Sequence, residues 1–370
     1  MYMVRNAVKK EANEKVDSAI EWYRKNKDYY ERLALKIELI IKEILDCSKI
    51  SFHSVTSRAK DIESFGKKAS KDKYSDPKCE ILDLAAIRVT AYVESDVSKI
   101  CEVLEKEFKI IPEHSSNKSD VLNYNEVGYR SVHYVAKLND NRAKLPEYKR
   151  LDAPFEIQVR TILQHAWAEI EHDRNYKFEG IELPEHAKIK RRFALLAGQL
   201  ELADREFDSI VKDIDLYSNQ VIQDTKQGKL DIPIDSISLS KYLSNKLEPI
   251  SEYIQKNELM RDSKLIVKEV LNFGIMTLLD LDNLINENEL IEKIKIHGEK
   301  GHKAKSFNSV LRRLMLIVDA EKYFAKSYTG YWKTRIDGAL IDFIEHNGVN
   351  KNIFEENNAI SKRRSVASKV

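Results

Sequence analysis

The stretch Phe155-Glu-Ile-Gln-Val-Arg-Thr161 alternates apolar and polar residues. A strand sends successive side chains to opposite faces, so Glu156, Gln158 and Arg160 share one surface while Phe155, Ile157 and Val159 share the other. An acid, an amide and a guanidinium in a row make either an ordinary solvated strand face or one wall of an anion-binding site. Directly downstream, His165-Ala-Trp-Ala-Glu-Ile-Glu-His-Asp-Arg-Asn-Tyr-Lys177 places His165, Glu169, His172 and Tyr176 on one face of a helix. Trp167, Glu171 and Arg174 fall on a neighbouring face. That leaves Ile162, Ala166 and Ile170 as the expected core stripe. So many hydrogen-bonding side chains entering from a strand end suggest an active-site wall.

Upstream, Asp83 interrupts the apolar run Ile81-Leu-Asp-Leu-Ala-Ala-Ile-Arg-Val89, which reads as a strand. A buried carboxylate is costly without a partner, so a cation such as Arg88 or a metal ion must meet it. Asp83 and Glu156, on two strands, could converge on one Mg²⁺, which takes one or two protein carboxylates together with substrate phosphates. Zinc spacing of His and Cys is absent. Arg58, Lys60, Lys67, Lys68, Lys71 and Lys73 precede this strand. They form a solvated helix face or, through Arg58 and Lys60, a grip on a triphosphate. No GxxxxGK[ST] loop occurs, so side chains rather than a glycine cradle must hold any nucleotide. In Gly128-Tyr-Arg-Ser-Val-His133, Tyr129 is either a core ring or a stacking platform for a base. His133 lies further along the same strand face.

These groups need a scaffold. The chain has 370 residues, 42% of them hydrophobic and 33% charged, with a net charge of +2. That balance excludes a surface built wholly for nucleic acid. Three cysteines without a CxxC pair fit a reducing, cytoplasmic setting. No signal peptide and no apolar run of membrane-spanning length are evident, so no membrane association is expected. Helical periodicity covers 8–45, with Ile37, Ile40, Ile41, Ile44 and Leu45 as its buried stripe. A second, cationic helix is expected over 54–71. Short strands are expected at 81–93, 109–112, 127–138 and 155–159, with a helix at 97–108. Another long helix follows over 185–223, and no heptad array or internal repeat is found. The fold class is therefore α+β, a small mixed β-sheet flanked by helices, followed by a mostly α-helical C-terminal domain. The expected divisions are an N-terminal helical segment at 1–50, a catalytic domain at 51–225, a linker at 226–237 around Gly228 and Pro233, a helical domain at 238–350, and a basic tail at 351–370. Around Gly274 a helix–turn–helix packing unit is expected.

Taken together, five pieces resemble the synthetase domain of the RelA/SpoT family, the alarmone synthetases. They are Ser57-Arg-Ala-Lys60 with Ser64 and Lys68, Asp83-Leu-Ala-Ala-Ile-Arg88, Gly128-Tyr-Arg-Ser-Val-His133, Glu156-Ile-Gln-Val-Arg-Thr161, and Trp167-Ala-Glu-Ile-Glu-His172 with Tyr176-Lys177. The resemblance runs from about 52 to 177 and implies a nucleotidyltransferase-like fold. It implies an ATP-dependent pyrophosphokinase that moves the β,γ-pyrophosphate of ATP onto the ribose 3′-hydroxyl of GDP or GTP. It also implies roles. Arg58, Lys60 and Arg88 would hold ATP, and Asp83 and Glu156 would hold Mg²⁺. Glu156 would also sit by the acceptor hydroxyl, and His133 by the transferred group. Tyr129, Gln158 and Arg160 would hold the acceptor.

Departures from the family pattern bear on the acceptor. Ala86 stands where a glycine is usual. The run Leu122-Asn-Tyr-Asn-Glu-Val-Gly128 lacks the loop lysine of guanosine-specific members and carries Glu126. Toxic members of the family that use an adenosine nucleotide or the 3′ end of tRNA are therefore an alternative, with the helical C-terminal domain as a fused regulator or a surface for a protein partner. A catalytically silent nucleotide sensor is a third. No hydrolase domain is expected, since His172-Asp173 lacks further metal ligands.

Overall fold

The computed structural model describes residues 2–117, 131–175, 184–259, 263–330 and 338–357. They belong to two units, Met1–Val211 and Lys212–Val370. The first contains α1 (Tyr2–Cys47), β1 (Ser54–Ala59), α2 (Ile62–Ala69), α3 (Pro77–Glu80), β2 (Ala85–Ala91), α4 (Glu94–Glu107), β3 (Phe108–Ile110), β4 (Ser116–Asn117), β5 (Val132–Leu138), α5 (Asp140–Ala143), β6 (Phe155–Thr161), α6 (Ile162–Asn175) and the larger part of α7 (Pro184–Lys226).

The strands form one mixed sheet in the order β1-β2-β6-β5-β3, with β4 also paired to β5. Only β2 and β6 run parallel, joined through the long crossover that a parallel pair requires. Register decides which side chains meet. Arg58 pairs with Ala86, Thr56 with Arg88, Ala86 with Glu156, Arg88 with Gln158, and His133 with Gln158. Paired residues share a face, so these groups stand on one side of the sheet. The other side carries Val55, Ile87, Val89, Phe155, Ile157 and Val159, all buried. It is covered by α1 through Tyr23, Leu33, Ile37, Ile41 and Leu45, and by α4 through Val97, Ile100 and Leu104. The apolar stripe of α1 is the one its periodicity predicts, and from Ala19 to Leu45 it is packed into the core of the first unit. α2 packs close to α1, where a Cβ on Gly66 would meet Ile20 Cδ1 at 3.0 Å.

Three expectations are corrected. The segment 54–71 is not one helix. Ser54–Ala59 is a strand, because β2 offers it an antiparallel edge, and a helix begins only after Asp61 caps it by accepting a hydrogen bond from Ser64 N. The stripe of α6 is not Ile162, Ala166 and Ile170. Ala166 and Ile170 are exposed, and Gln164 is buried instead. In α7, a heptad pattern is present. Ile189, Phe193, Leu196, Leu200, Ala203, Phe207 and Ile210 recur at alternating steps of four and three. Between them lies a second stripe, Ala197, Asp204 and Asp208, which is the one buried in the unit.

The second unit is helical: after the end of α7 come α8 (Ser236–Lys246), α9 (Ser263–Asn272), α10 (Leu278–Glu287), α11 (Leu290–Glu299), α12 (Phe307–Lys322), α13 (Gly338–His346) and α14 (Ile353–Glu356). Its core includes Leu239, Ile266, Leu281, Leu311, Leu314 and Phe343. The segment expected as a linker is built into this core. Ile234 is buried, and Pro233 forms a β-bridge with Thr277. The expected packing unit is α9 and α10, joined at Gly274 (φ +94°) and restarted by a capping box between Thr277 and Asp280. Among the described residues no helix is long and apolar enough to cross a membrane.

Candidate active site

The polar face of β1, β2, β5 and β6 gathers most of the residues singled out from the sequence. Glu156 uses both oxygens: Oε1 lies 2.9 Å from His133 Nδ1, and Oε2 accepts from Gln158 Nε2 at 2.8 Å. Gln158 Oε1 in turn accepts from Arg160 Nη2 at 3.1 Å, and His133 Nε2 lies 2.8 Å from Ser131 Oγ. The strand alternation that puts Glu156, Gln158 and Arg160 on one face thus yields a continuous chain of hydrogen bonds. Burial raises the Glu156 pKa, but the hydrogen bond and charge of His133 and the hydrogen bond from Gln158 outweigh it. The net shift is downward, with the charge of Asp83 opposing it. Glu156 is therefore an ionised carboxylate within the electrostatic reach of Asp83.

Asp83 is not in a strand; it lies in the turn that leads into β2. Its expected partner Arg88 does not meet it. Oδ2 instead accepts from both Lys60 Nζ and Lys68 Nζ, each at 2.8 Å. Burial pushes its pKa up, and the two ammonium groups bring it below the ordinary 3.8. Lys60 is placed by its backbone: its N–H donates to Leu84 O at 2.9 Å, and its carbonyl accepts from Tyr23 Oη at 2.7 Å. Oδ1 of Asp83 is buried with no hydrogen-bond partner.

Arg88 Nη1 instead pairs with Glu169 Oε1 of α6 at 2.9 Å. Glu169 also lies 3.7 Å from His165 Nδ1. Arg58, Arg88 and Arg160 crowd together. Burial, then neighbouring cations, bring Arg160 down to about 10, and burial, with Arg58 adding to it, lowers Arg88. Nε of Arg88 and Nε of Arg160 are buried without partners. Crowded cations with orphaned donors suit an anionic ligand. Beside them is a small open cleft lined by Thr56, Ser57, Arg58, Ala86, Ile87, Arg88 and Gln158.

The site thus unites Arg58, Lys60, Asp83, Arg88, His133, Glu156, Gln158 and Arg160. Tyr129 lies outside the described residues, as does the 122–128 loop. Sequence reasoning assigned no role to Lys68, Ser131 or Glu169. Lys68 could have been found as the cation two turns beyond the Asp61 helix cap, facing the same way as Lys60. The i, i+4 spacing sets Glu169 beside His165 on one helix face, but its ion pair with Arg88 comes from the packing of α6 against β2.

Residues 57–181 match the family model described as "Region found in RelA / SpoT proteins". The GTP pyrophosphokinase YjbM of Bacillus subtilis (strain 168) is 30% identical over 148 residues, covering 39% of this chain and 65% of that protein. The GTP pyrophosphokinase YwaC of the same organism is 30% identical over 99 residues, covering 26% and 43%. The aligned part is thus less than two thirds of either relative. A solved structure of a GTP pyrophosphokinase family protein from Streptococcus pneumoniae is 27% identical and covers 52% of this chain and 94% of its own, with a TM-score of 0.43. That of the small alarmone synthetase 1 from Bacillus subtilis is 26% identical and covers 53% and 98%, also at 0.43. Arg58, Asp83 and Glu156, on the polar face of the sheet, all lie within residues 57–181, the stretch that matches this family model.

Proposed function

We propose that this chain is a Mg²⁺-dependent pyrophosphokinase that transfers the β,γ-pyrophosphate of ATP to the ribose 3′-hydroxyl of GDP or GTP, giving (p)ppGpp. The observation that carries the reading is the placement of two ionised carboxylates, Asp83 and Glu156, within electrostatic reach of each other beside three crowded guanidinium groups. The relatives named GTP pyrophosphokinase support the reaction class.

Arg58, Lys60 and Arg88 would take the oxygens of the ATP phosphates, and Gln158 and Arg160 would orient the acceptor. The 3′-oxygen bonds to the β-phosphorus in line. The bond from that phosphorus to the oxygen bridging the α-phosphate breaks, and AMP leaves with the electron pair. Glu156 accepts the hydroxyl proton, while His133 fixes the carboxylate. Cations preset around the phosphates lower the barrier without moving during the reaction. The donor set fits Mg²⁺: Asp83 Oδ1 is a buried acceptor without a partner, and Glu156 is the second carboxylate. Mg²⁺ held there would neutralise phosphate charge. Among the described residues no three His, Cys, Asp or Glu side chains gather as a metal site, so substrate phosphates and water would complete the shell.

A second reading rests on the 122–128 run, whose Glu126 and missing lysine disfavour a diphosphate acceptor. In it the acceptor is the tRNA 3′ end or an adenosine nucleotide, and the helical unit is a regulator. One experiment separates the readings. The protein is incubated with Mg²⁺ and ATP labelled on its γ-phosphate, with GDP, GTP, ADP or deacylated tRNA supplied singly. Label on the guanosine nucleotide is expected. Label on tRNA or ADP transfers the proposal to that acceptor, and no label with any of them leaves a nucleotide-binding sensor.

A further inference from the structure

Arg88 stands between a carboxylate and a cleft. Its Nη1 pairs with Glu169 Oε1 at 2.9 Å, yet the same residue lines the cleft together with Arg58 and Gln158. Two carboxylates act on the cluster of Arg58, Arg88 and Arg160: Glu169 from α6 and Glu156 from β6. Glu156 is held by His133 and Gln158 and has its part in the proposed reaction. Glu169 has none, and an acid beside a triphosphate site repels the substrate unless it serves another purpose. Its side chain is 56% exposed against 24% for Arg88, so the pair can open without stranding the carboxylate away from water. A second position is within reach. His165, one turn earlier in α6, holds Nδ1 3.7 Å from the same Oε1, and that nitrogen is buried with no hydrogen-bond partner. A shift of less than about 1 Å turns this approach into a hydrogen bond, in the tautomer that carries hydrogen on Nδ1.

We propose that Glu169 is an exchangeable counterion: it holds Arg88 at the cleft while the site is empty, and gives way to the phosphates of ATP by moving onto His165 Nδ1. This rests on the proposed function, since it takes ATP as the ligand of that cleft. Magnitudes favour the exchange. A single half-exposed ion pair is weakly held. A guanidinium takes phosphate oxygens through two parallel hydrogen bonds, and ATP brings several charges at once. A ligand with one phosphate must break the same pair and gains fewer contacts, so the arrangement favours a polyphosphate over inorganic phosphate. Until ATP arrives, the pair keeps a partly buried guanidinium neutralised and already in place, which lowers the ordering cost of binding. Burial, with the charges of Arg160 and Arg88, lowers the pKa of His165, so it receives the carboxylate as a neutral donor and not as a second fixed charge. Glu169 touches no substrate in this scheme. It acts through Arg88 and is a positioning residue.

The test is calorimetric titration of the full chain with Mg²⁺ and the α,β-methylene analogue of ATP, which cannot release AMP. Glu169→Gln is expected to bind the analogue about two- to fivefold tighter than wild type, with the gain shrinking as salt is raised. Glu169→Asp keeps the charge and is expected to stay nearer to wild type. Arg88→Gln is expected to weaken binding, and Glu169→Gln added to it to change nothing further. His165→Phe removes the second position and is expected to bind about twofold more weakly, and only while Glu169 is present. In steady-state transfer, Glu169→Gln is expected to lower KM for ATP by the factor seen in the titration, with kcat little changed, as for an interaction that opposes substrate and transition state equally. A merely structural role would weaken binding instead. Unchanged or weaker binding by Glu169→Gln overturns the exchange, as does a gain that persists without Arg88. Full binding by His165→Phe overturns the second position. A wild type that binds no analogue overturns both this inference and the proposed function. A wild type that binds, with the gain in Glu169→Gln, but labels no acceptor supports the exchange and removes the reaction alone.

Discussion

Glu156 accepts a hydrogen bond on each oxygen, from His133 and from Gln158, and this sets its chemistry. Held below its ordinary 4.5, it is ionised at neutral pH and ready to accept a proton. In the proposed reaction, Glu156→Gln removes the acceptor while keeping the shape. Transfer is expected to fall roughly 10²–10⁴-fold with the folded state retained, as judged by an unchanged thermal transition. Undiminished turnover would remove Glu156 from the chemistry. The same depressed pKa links stability to pH. A carboxylate whose pKa is lower in the folded state than in the unfolded chain contributes stability that is complete above its ordinary value and is lost as pH falls through the folded one. Asp83 and Glu156 both have this sign, so their contribution is present above pH 4.5 and fades below it. Urea unfolding from pH 7 down to pH 3 is expected to show the decline only in that lower range, and to show a shallower one in Glu156→Gln. At this scale much of the site is legible in the sequence, because Glu156, Gln158 and Arg160 need only a period of two to share a face. The partners of Asp83 are not legible. Lys60, Lys68 and Arg88 are equally plausible until the turn before β2 is built, and the turn gives Oδ2 to the two lysines.

The joint between β6 and α6 is where the active face is anchored. Thr161 and Gln164 form a reciprocal cap: Gln164 N donates to Thr161 Oγ1 at 3.1 Å, and Thr161 N donates to Gln164 Oε1 at 2.9 Å. The same hydroxyl donates to buried Asp204 of α7, so one side chain ties a strand end, a helix start and a second helix together. Thr161→Val keeps the volume but removes both hydroxyl interactions. It is expected to cost about 2–3 kcal/mol, a lost cap together with a lost hydrogen bond to a buried carboxylate, while Thr161→Ser recovers most of it. Equilibrium denaturation of the three proteins checks this, and a Val variant as stable as wild type would show that the joint bears no strain. The cap explains why the stripe of α6 is misread from periodicity: fixing Gln164 inward turns Ile170 to solvent. β1 is misread for another reason. Ser-Val-Thr-Ser-Arg-Ala has a single large apolar residue, and its strand state comes from pairing with β2, a tertiary effect that local pattern does not contain. The heptads of α7 are masked in the sequence by Gly198, Ala203 and a competing stripe containing two buried aspartates.

At the scale of the whole molecule, a second hydrophobic core accompanies the catalytic unit, and it is built around a charge. Glu269 is fully buried and Arg312 nearly so, and Arg312 donates to both carboxylate oxygens, from Nε at 2.7 Å and from Nη2 at 2.9 Å. Thr329 Oγ1 donates to the same carboxylate at 2.7 Å, and Tyr323 Oη lies 3.4 Å from it. Three segments, α9, α12 and the turn containing Thr329, therefore meet on one side chain. A bidentate pair in a dry core returns little net stability over apolar residues of equal size, but removing one member leaves the other's charge without its counterion. Glu269→Gln is accordingly expected to destabilise the helical unit by about 3–5 kcal/mol. Replacing the pair together, Glu269→Leu with Arg312→Met, is expected to cost far less. Denaturant unfolding of the full chain, followed by far-ultraviolet circular dichroism, measures both. The order of the two variants is the decisive result. A double replacement as damaging as the single one would mean that the helical unit depends on the charged pair itself, through geometry that Leu and Met cannot reproduce, and not on avoiding a stranded guanidinium.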